Sequence, residues 1–455
     1  MKHTRYRSTG LAITLAAAVT LSTVACGGSD DNGKDTDGGG TVTLTVNGLP
    51  PATDTVNRKN FEDDVVAFQA KHPNIKIDAK EGLMDPQTFS AKLAGGQLED
   101  VFYVYFTDPA NLITKHQVAD ISKYLGDFPT IKDVKPELMR VFQDSAGKTY
   151  GLPQHNYSLG LVYNRDLFTR AGLDPNTPPT TWEQVRESAK KITALGDGIS
   201  GYGDYSKSNT GGWHFTAELY SVGGDVAVNN GGTWKAAFNS AQGKQVLQQL
   251  KDMRWADNSM GAKQMLEYAD LLTMMAAGKL GMYVGGADNL PSIVNQYKGS
   301  YANLGLGSIP GGKATLGGGD GFMFKAGLSA AKIKAGMQWL TFKMLDPERI
   351  GPDNQKAAAS GAPVGLPEPN IWTGASAQKQ ADATKQYANV PTANFQAFVT
   401  GSATIKLKLE PPNAQQVYAV LDTVMQKVLT DRDANVDALL KDAEGQVNTI
   451  LAGVK

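Results

Sequence analysis

The sequence contains only one cysteine, Cys26, among its 455 residues, so no disulfide bond can form within the chain. It also has only five histidines, and no two of them stand at the short spacing that a metal site requires. His155 and His214 are the one pair that a fold could bring together across a cleft. We therefore expect no bound metal and no other cofactor.

The sequence also lacks an apolar run long enough to span a membrane. The stretch from Leu11 to Ala25 carries no charge, but its 15 residues are fewer than the roughly 20 that a transmembrane helix needs. Lys2, Arg5 and Arg7 precede it, and a basic start followed by a short apolar run and a small residue is typical of a secretory signal. We predict that residues 1–25 are a signal peptide rather than a retained membrane anchor.

The single cysteine follows this segment directly. The run Thr23-Val-Ala-Cys26 resembles the lipobox of bacterial lipoproteins, whose cysteine is acylated and becomes the new N-terminus. Residues 26–40 are almost all small and polar, a composition that behaves as a flexible tether. We therefore predict an exported lipoprotein with palmitate on Cys26, held at the outer face of the cell membrane by its lipid.

A strong net charge is absent as well. The formal net charge is −1, and it becomes −4 (−1 minus 3) when Lys2, Arg5 and Arg7 leave with the signal peptide. A weakly acidic chain gives no electrostatic reason to bind nucleic acid. The remaining 430 residues (455 minus 25) are enough for two domains of about 200 residues each, and we expect a monomer.

From Thr41 onward, runs typical of strands alternate with amphipathic segments typical of helices. Thr41–Val46 alternates polar and apolar residues, whereas Val101–Val104 is an unbroken apolar run of the kind found in buried strands. This order indicates an α/β fold with a largely parallel sheet. We predict further strands at 75–77, 160–163 and 280–284, and helices at 61–71, 89–98, 182–195 with a capping box at Thr181, 414–429 and 436–451.

Several blocks of this sequence occur in the order known from one protein family. They are Glu99–Val104, Gly147–Pro153, Leu161–Phe168, Pro178–Trp182, Ala277–Val284 and Gly317–Gly321. In this order they resemble the family 1 extracellular solute-binding proteins of ABC transporters, the group that contains maltose-binding protein. The resemblance covers most of the chain after Thr41.

The resemblance implies a clamp of two lobes, each a mixed, largely parallel sheet flanked by helices, that closes on a ligand by hinge motion. Residues 41–154 and 311–360 would form lobe 1, and residues 155–310 and 361–455 would form lobe 2. The ligand would be a sugar or oligosaccharide, and the permease subunits of an ABC importer would recognise the closed form. No enzymatic activity is implied.

Ligands of open α/β sheets bind beyond the carboxyl ends of strands, so polar and aromatic side chains that follow strands are candidates. A sugar needs acceptors for its hydroxyls and flat aromatic faces for its C–H patches. Asp108 could serve as such an acceptor or could cap a helix, and Asp288 could equally lie in a turn before Pro291. Tyr157 and Trp213 match ligand-contacting positions of the family. The predicted contact residues are Tyr105, Phe106, Asp108, His155, Asn156, Tyr157, Trp213, His214, Asp288, Asn289, Gly319 and Asp320.

Other function classes find little support in the sequence. Gly307–Lys313 fits the spacing of a P-loop, but Ala314 stands where Ser or Thr would hold magnesium. No carboxylate pair can be identified as the acid and base of a secreted glycosidase, and no G-x-S-x-G nucleophile motif occurs. A sensory lipoprotein that reports ligand occupancy to a receptor uses the same clamp, so the sequence leaves that alternative open.

Overall fold

The computed structural model describes residues 40–84 and 88–454. The predicted signal peptide, Cys26 and the tether up to residue 39 lie outside the described residues. Within the two described ranges, every helix is too short or too polar to span a bilayer.

The described chain forms mixed α and β structure. The strands are β1 (Val42–Leu49), β2 (Ile75–Glu81), β3 (Val101–Tyr105), β4 (Gly151–Ser158), β5 (Gly160–Asn164), β6 (Ser200–Tyr202), β7 (Ala227–Asn230), β8 (Thr233–Ala236), β9 (Leu280–Gly285), β10 (Leu304–Ser308), β11 (Ala314–Phe324) and β12 (Lys406–Lys408). The helices are α1 (Thr55–Lys71), α2 (Phe89–Ala94), α3 (Pro109–Thr114), α4 (Pro136–Arg140), α5 (Arg165–Arg170), α6 (Trp182–Thr193), α7 (Thr210–Ser221), α8 (Ala241–Lys251), α9 (Tyr268–Ala276), α10 (Asn289–Asn295), α11 (Ala330–Met344), α12 (Ile350–Ala359), α13 (Gly374–Tyr387), α14 (Gln396–Ser402), α15 (Ala414–Thr430) and α16 (Val436–Leu451).

The first sheet has the strand order β12-β11-β3-β1-β2, and β4 pairs with β11 as well. β1 runs parallel to β2 and to β3, whereas β11 runs antiparallel to β3 and to β4. Its core includes Phe68 of α1 and Trp339 of α11, which are buried with their ring centroids 5.2 Å apart. Trp372, which precedes α13, belongs to the same hydrophobic cluster.

The second sheet has the order β10-β5-β9-β6, and β7 and β8 form a separate hairpin. β5 is antiparallel to β10 and β9, while β6 is parallel to β9. Helices α6, α7, α8, α15 and α16 contribute to the main hydrophobic cluster of this lobe. The apolar stripe of α15, with Val417, Leu421 and Val424, is buried there as its helical spacing predicts.

Two neighbouring antiparallel strands connect the sheets. β4 lies in the first sheet, and only Leu159 separates it from β5 in the second. β11 pairs with β12 through Ala314–Leu316 and with β3 through Asp320–Phe324. Because β4 and β11 pair along Gly317–Met323, a two-stranded ribbon joins the lobes.

The predicted α/β class is confirmed, and the sheets are mixed: β5 is antiparallel to β9 and β10, and β11 is antiparallel to β3 and β4 but parallel to β12. The capping box at Thr181 and Gln184 is confirmed, and α16 spans its predicted range. Helix α1 begins at Thr55 rather than at residue 61, because the Asp54 side chain accepts from the backbone N–H of Asn57. Helix α2 ends at Ala94, where Gly95 follows.

The predicted division into lobes remains a prediction. The segment around Trp372 packs with the first sheet, whereas Phe395 and Phe398 pack with the second. We therefore propose that lobe 1 extends past residue 360, through α13, and that the chain returns to lobe 2 near residue 390.

Candidate functional site

One wall of the candidate site forms where β3 ends beside the middle of β11. Tyr105 lies opposite Asp320 in the β3–β11 ladder, and Asp320 lies opposite His155 in the ladder between β11 and β4. The Asp108 carboxylate accepts a hydrogen bond from the backbone N–H of Tyr105 at 2.9 Å, and it makes no side-chain capping bond to α3. Burial raises the pKa of Asp108 to about 6. The structure thus brings four of the predicted residues together.

His155 is the basic group of this wall. Its Nδ1 lies 3.3 Å from Oδ1 of Asp320, and 64% of its side-chain surface is exposed. Burial by itself would lower the pKa of His155, but the hydrogen bond and charge of Asp320 and the charge of Glu368 together raise it. The imidazole can therefore carry a proton near neutral pH and donate hydrogen bonds from its other nitrogen.

A second group of candidate residues is aromatic, and it packs against the main hydrophobic cluster of the second lobe. Tyr157 at the end of β4 and Trp213 in the first turn of α7 have ring centroids 6.5 Å apart at an interplanar angle of 55°. Both are half-buried, so part of each ring remains free. Burial and the nearby charge of Glu410 raise the pKa of Tyr157, which keeps its hydroxyl protonated as a hydrogen-bond donor. Tilted aromatic faces with a polar edge suit a sugar ring.

Asp288 follows strand β9 and is exposed, although burial among its neighbours raises its pKa. Its Oδ2 accepts a hydrogen bond from Nδ2 of Asn289 at 3.1 Å. The Asn289 side chain is buried, and its Oδ1 accepts from the Tyr283 hydroxyl at 3.0 Å. Asn289 thus orients Asp288 from behind rather than facing the cleft itself.

Two further predicted side chains, those of Phe106 and His214, are buried, and the half-buried Gly319 has a structural role in the ribbon. Phe106 is buried and makes an edge-to-face contact with Phe142. His214 is fully buried, because it points into the lobe while its neighbour Trp213 points out. A Cβ at Gly319 would come within 2.3 Å of the backbone oxygen of His155, so this glycine allows β11 and β4 to approach. We correct the prediction accordingly: the side chains of Phe106 and His214 present no surface to a ligand in the cleft, and Gly319 has no side chain to offer.

Asn156 is half-buried on β4, and its side-chain oxygen has no hydrogen-bond partner within the described chain. The unpaired oxygen leaves an acceptor beside the hinge ribbon. The ligand role predicted for Asn156 stays a prediction.

Sequence reasoning missed three groups near the cleft. Glu368, in the loop between α12 and α13, lies close enough to His155 and Asp288 for their charges to shift its pKa. Glu410 follows β12, accepts from the Tyr418 hydroxyl at 3.1 Å and is affected by the charge of Asp108. Tyr268, at the start of α9, is 39% exposed. Glu410 lies just after a strand, as ligand residues of α/β sheets often do. It was missed because that strand, β12, has only three residues and was not predicted from the sequence.

Comparison with known proteins shows which family this chain resembles. Residues 52–343 match the family model for bacterial extracellular solute-binding proteins. The sn-glycerol-3-phosphate-binding periplasmic protein UgpB of Brucella abortus is 27% identical over 227 residues, which are 46% of this chain and 48% of UgpB. The match covers 60% of the length of a putative binding protein from the same organism. The chain therefore spans less than two thirds of the length of these relatives.

Solved structures share the fold. A binding protein for cyclic α-maltosyl-1,6-maltose from Arthrobacter globiformis has a TM-score of 0.68 and 22% identity, covering 91% of this chain and 100% of its own. UgpB from Mycobacterium tuberculosis, in complex with glycerophosphocholine, has a TM-score of 0.70 and 16% identity, covering 91% and 99%. The fold is that of the two-lobed periplasmic binding proteins. The family model matches more than half of the residues of this chain, which therefore belongs to the bacterial extracellular solute-binding proteins.

Proposed function

We propose that this protein is the extracytoplasmic substrate-binding lipoprotein of an ABC importer and that it binds a sugar or oligosaccharide between its lobes. One observation carries the proposal. Asp108 beyond the end of β3 and Asp320 within β11 form a group of acceptors, and Tyr157 and Trp213 form an aromatic pair; Asp320 and Tyr157 lie in the two strands of the ribbon that joins the lobes. Carboxylates can each accept two sugar hydroxyls, and the rings can cover C–H faces.

Closure would occur by rotation about β4 and β11. A ligand that touches Asp108 on one lobe and Trp213 on the other has more contacts in the closed form than in the open form. It therefore shifts the equilibrium towards closure by that difference in affinity. The permease would recognise the closed form. The relatives are binding proteins, and we propose that this chain has no catalytic activity of its own; hydrolysis of a glycan by the purified protein would contradict this.

The localisation follows from the N-terminal sequence. We propose that residues 1–25 are removed, that Cys26 carries the lipid and that residues 26–40 tether the lobes to the outer face of the cell membrane. Membership in an extracellular family supports export. The lipid anchor is a proposal from the sequence alone.

The test is a thermal-unfolding screen of the mature protein, residues 26–455, against mono- and oligosaccharides. A ligand that binds only the folded state raises its stability by about 2.7 kcal/mol at a hundred times its Kd, and it should raise Tm measurably. Calorimetry of each hit should give a Kd near one micromolar, about −8 kcal/mol. If no carbohydrate raises Tm, the sugar proposal fails.

A further inference from the structure

One edge of the second sheet meets the ribbon that joins the lobes. β5 begins and β9 ends at this edge, because Gly160 lies opposite Gly285 in their antiparallel ladder. β6 ends there too, since it runs parallel to β9 and pairs through Tyr202 with Met282. β4 arrives from the first sheet through Leu159. The loops after β6 and β9 therefore lie on the side of the second lobe where the ribbon enters, beyond the carboxyl ends of strands, where ligands of open α/β sheets bind.

Helix α9 begins at the same edge. Its first residue, Tyr268, follows Glu267, which forms an ion pair with Lys207 at 2.7 Å. The backbone oxygen of Leu266 accepts a hydrogen bond from the N–H of Ser206 at 3.1 Å. Both partners belong to the loop after β6. The start of α9 is thus fixed to that loop, and Tyr268 lies on the ribbon side of the lobe.

A row of packed rings connects Tyr268 with the aromatic pair of Tyr157 and Trp213. The centroid of the Tyr268 ring lies 6.0 Å from that of Tyr205. Tyr205 in turn lies 4.1 Å from His214, and His214 lies 5.4 Å from Trp213. Tyr205 and His214 are completely buried, whereas Trp213 is half-buried and Tyr268 is 39% exposed. The row therefore has a buried middle and an accessible ring at each end.

The Tyr268 ring is held in place before any ligand arrives. It packs against Tyr205 on its inner side, and its hydroxyl hydrogen-bonds to the side chain of Ser292 in α10. A ring that is already ordered loses little conformational freedom when a ligand packs on it. Its exposed surface is therefore well suited to stacking.

An acceptor for sugar hydroxyls lies in the same part of the edge. Asp288 follows β9 and is exposed, and its carboxylate accepts from Asn289, whose side chain also bonds to the Tyr283 hydroxyl. The Tyr283 ring lies 6.2 Å from that of Tyr205, the residue on which Tyr268 packs. Burial and the charge of Asp288 together raise the pKa of Tyr268, which agrees with this placement.

Two accessible rings with two buried rings between them cannot both pack on one sugar ring. Each aromatic face can cover the C–H patch of one sugar ring, so a ligand that uses both faces must contain several rings. We propose that Tyr268 is a second aromatic subsite and that the ligand is an oligosaccharide, with one ring on Trp213, another on Tyr268 and hydroxyls of the latter on Asp288. This rests on the proposed function of the cleft as a sugar site and narrows the ligand by its length.

The test is calorimetry of the mature protein with sugars that differ only in length. The probes are glucose with maltose, maltotriose and maltotetraose, glucose with cellobiose, cellotriose and cellotetraose, and xylose with xylobiose, xylotriose and xylotetraose. In at least one series the trisaccharide should bind about fivefold more tightly than the monosaccharide, because a second stacking contact is added.

The outcomes separate this proposal from the broader one. If a monosaccharide binds as tightly as its longest oligomer, the assignment of an extended ligand is wrong, while sugar binding stands. If no carbohydrate of any length binds, both proposals fall.

Variants locate the second subsite. Tyr268→Ala should reduce the affinity for the trisaccharide about fivefold more than that for the monosaccharide, and Tyr268→Phe, which keeps the ring, should lose less. Trp213→Ala should weaken the binding of both sugars by a similar factor. Val66→Ala on α1, which truncates an exposed apolar side chain of the first lobe, is the control and should change neither affinity.

The readout is the ratio of two affinities measured on one preparation, so a partly unfolded variant would not imitate the expected result. If Tyr268→Ala weakens the binding of both sugars equally, or of neither, Tyr268 is not a ligand subsite and the proposal is wrong.

Discussion

The Nδ1 atom of His214 hydrogen-bonds to Oδ1 of Asp204 in the interior of the second lobe, and both side chains are completely buried. The indole of Trp213 stacks on the outer side of this imidazole, with centroids 5.4 Å apart and planes 26° apart. On the inner side lies Tyr205, 4.1 Å from the same ring. The indole of Trp213 is therefore backed by a buried polar network.

The network also contains Glu218, whose Oε1 accepts from the Tyr202 hydroxyl at 2.8 Å. Burial lowers the pKa of His214 and raises those of Asp204 and Glu218. Burial thus favours the uncharged form of each of the three groups. The side chains of Asp204 and Glu218 also hydrogen-bond to each other, and the backbone of Val284 bonds to His214, so the buried polar groups of this network satisfy one another.

The first prediction concerns stability between pH 6.5 and 8.5. Burial raises the pKa of Asp204 to about 8, while an unfolded aspartate has a pKa of about 3.9. The folded protein therefore holds a proton that the unfolded chain releases, and stability falls as pH rises through the folded pKa, by up to about 1.4 kcal/mol per pH unit. Below about pH 6.5 His214 has the opposite effect on stability, because it stays neutral in the folded protein but takes up a proton in the unfolded chain. The buried acids therefore determine the pH dependence only above about pH 6.5.

Asp204→Asn should flatten this loss, since the amide resembles the protonated acid. Calorimetric Tm values every half pH unit give the slope for the natural protein and the variant. Glu137→Gln at the surface should leave the slope unchanged. A variant that loses stability with pH as steeply as the natural protein would show that Asp204 is ionised in the folded state.

The second prediction concerns Trp213. Replacing it by alanine should weaken binding of the ligand found in the carbohydrate screen by about 1 kcal/mol or more, roughly fivefold, because a stacking face is lost. Calorimetry measures the change. The control is Trp234→Ala on the β7–β8 hairpin, which is likewise half-buried and should leave Kd unaltered. Equal affinities of the natural and Trp213 variants would remove the indole from the site.

The sequence allowed the fold and part of the cleft to be predicted. Particular residues show why the rest of the cleft could not be predicted. The periodicity of 436–451 defined α16 because one face of that helix is buried. Trp213 and His214 were indistinguishable in the sequence, although neighbours on a helix point about 100° apart, so only one could face the cleft. Glu368 follows no strand, and only the tertiary fold brings it near His155.

The third prediction concerns the ribbon between the lobes. Gly319→Ala would place a Cβ 2.3 Å from the backbone oxygen of His155 and 2.7 Å from the Phe106 ring. Neither neighbour can yield without moving β4 or the core, so we expect a loss of about 1–3 kcal/mol in the free energy of unfolding. Urea denaturation measures it. Gly445→Ala in α16 meets nothing within 4 Å and should be neutral or stabilising by up to about 1 kcal/mol.

The fourth prediction concerns Cys26. In the producing bacterium, Cys26→Ser should release the protein from the membrane fraction into the medium or periplasm, because the thiol that would carry the lipid is gone and the described helices offer no other anchor. Fractionation followed by immunoblotting measures the distribution, and mass spectrometry of the natural protein should find acyl chains on its first residue. Ser29→Ala in the tether is the control and should remain with the membrane. If the Cys26 variant stays in the membrane fraction as well, the segment before it is a retained anchor, and the signal-peptide prediction falls with the lipid.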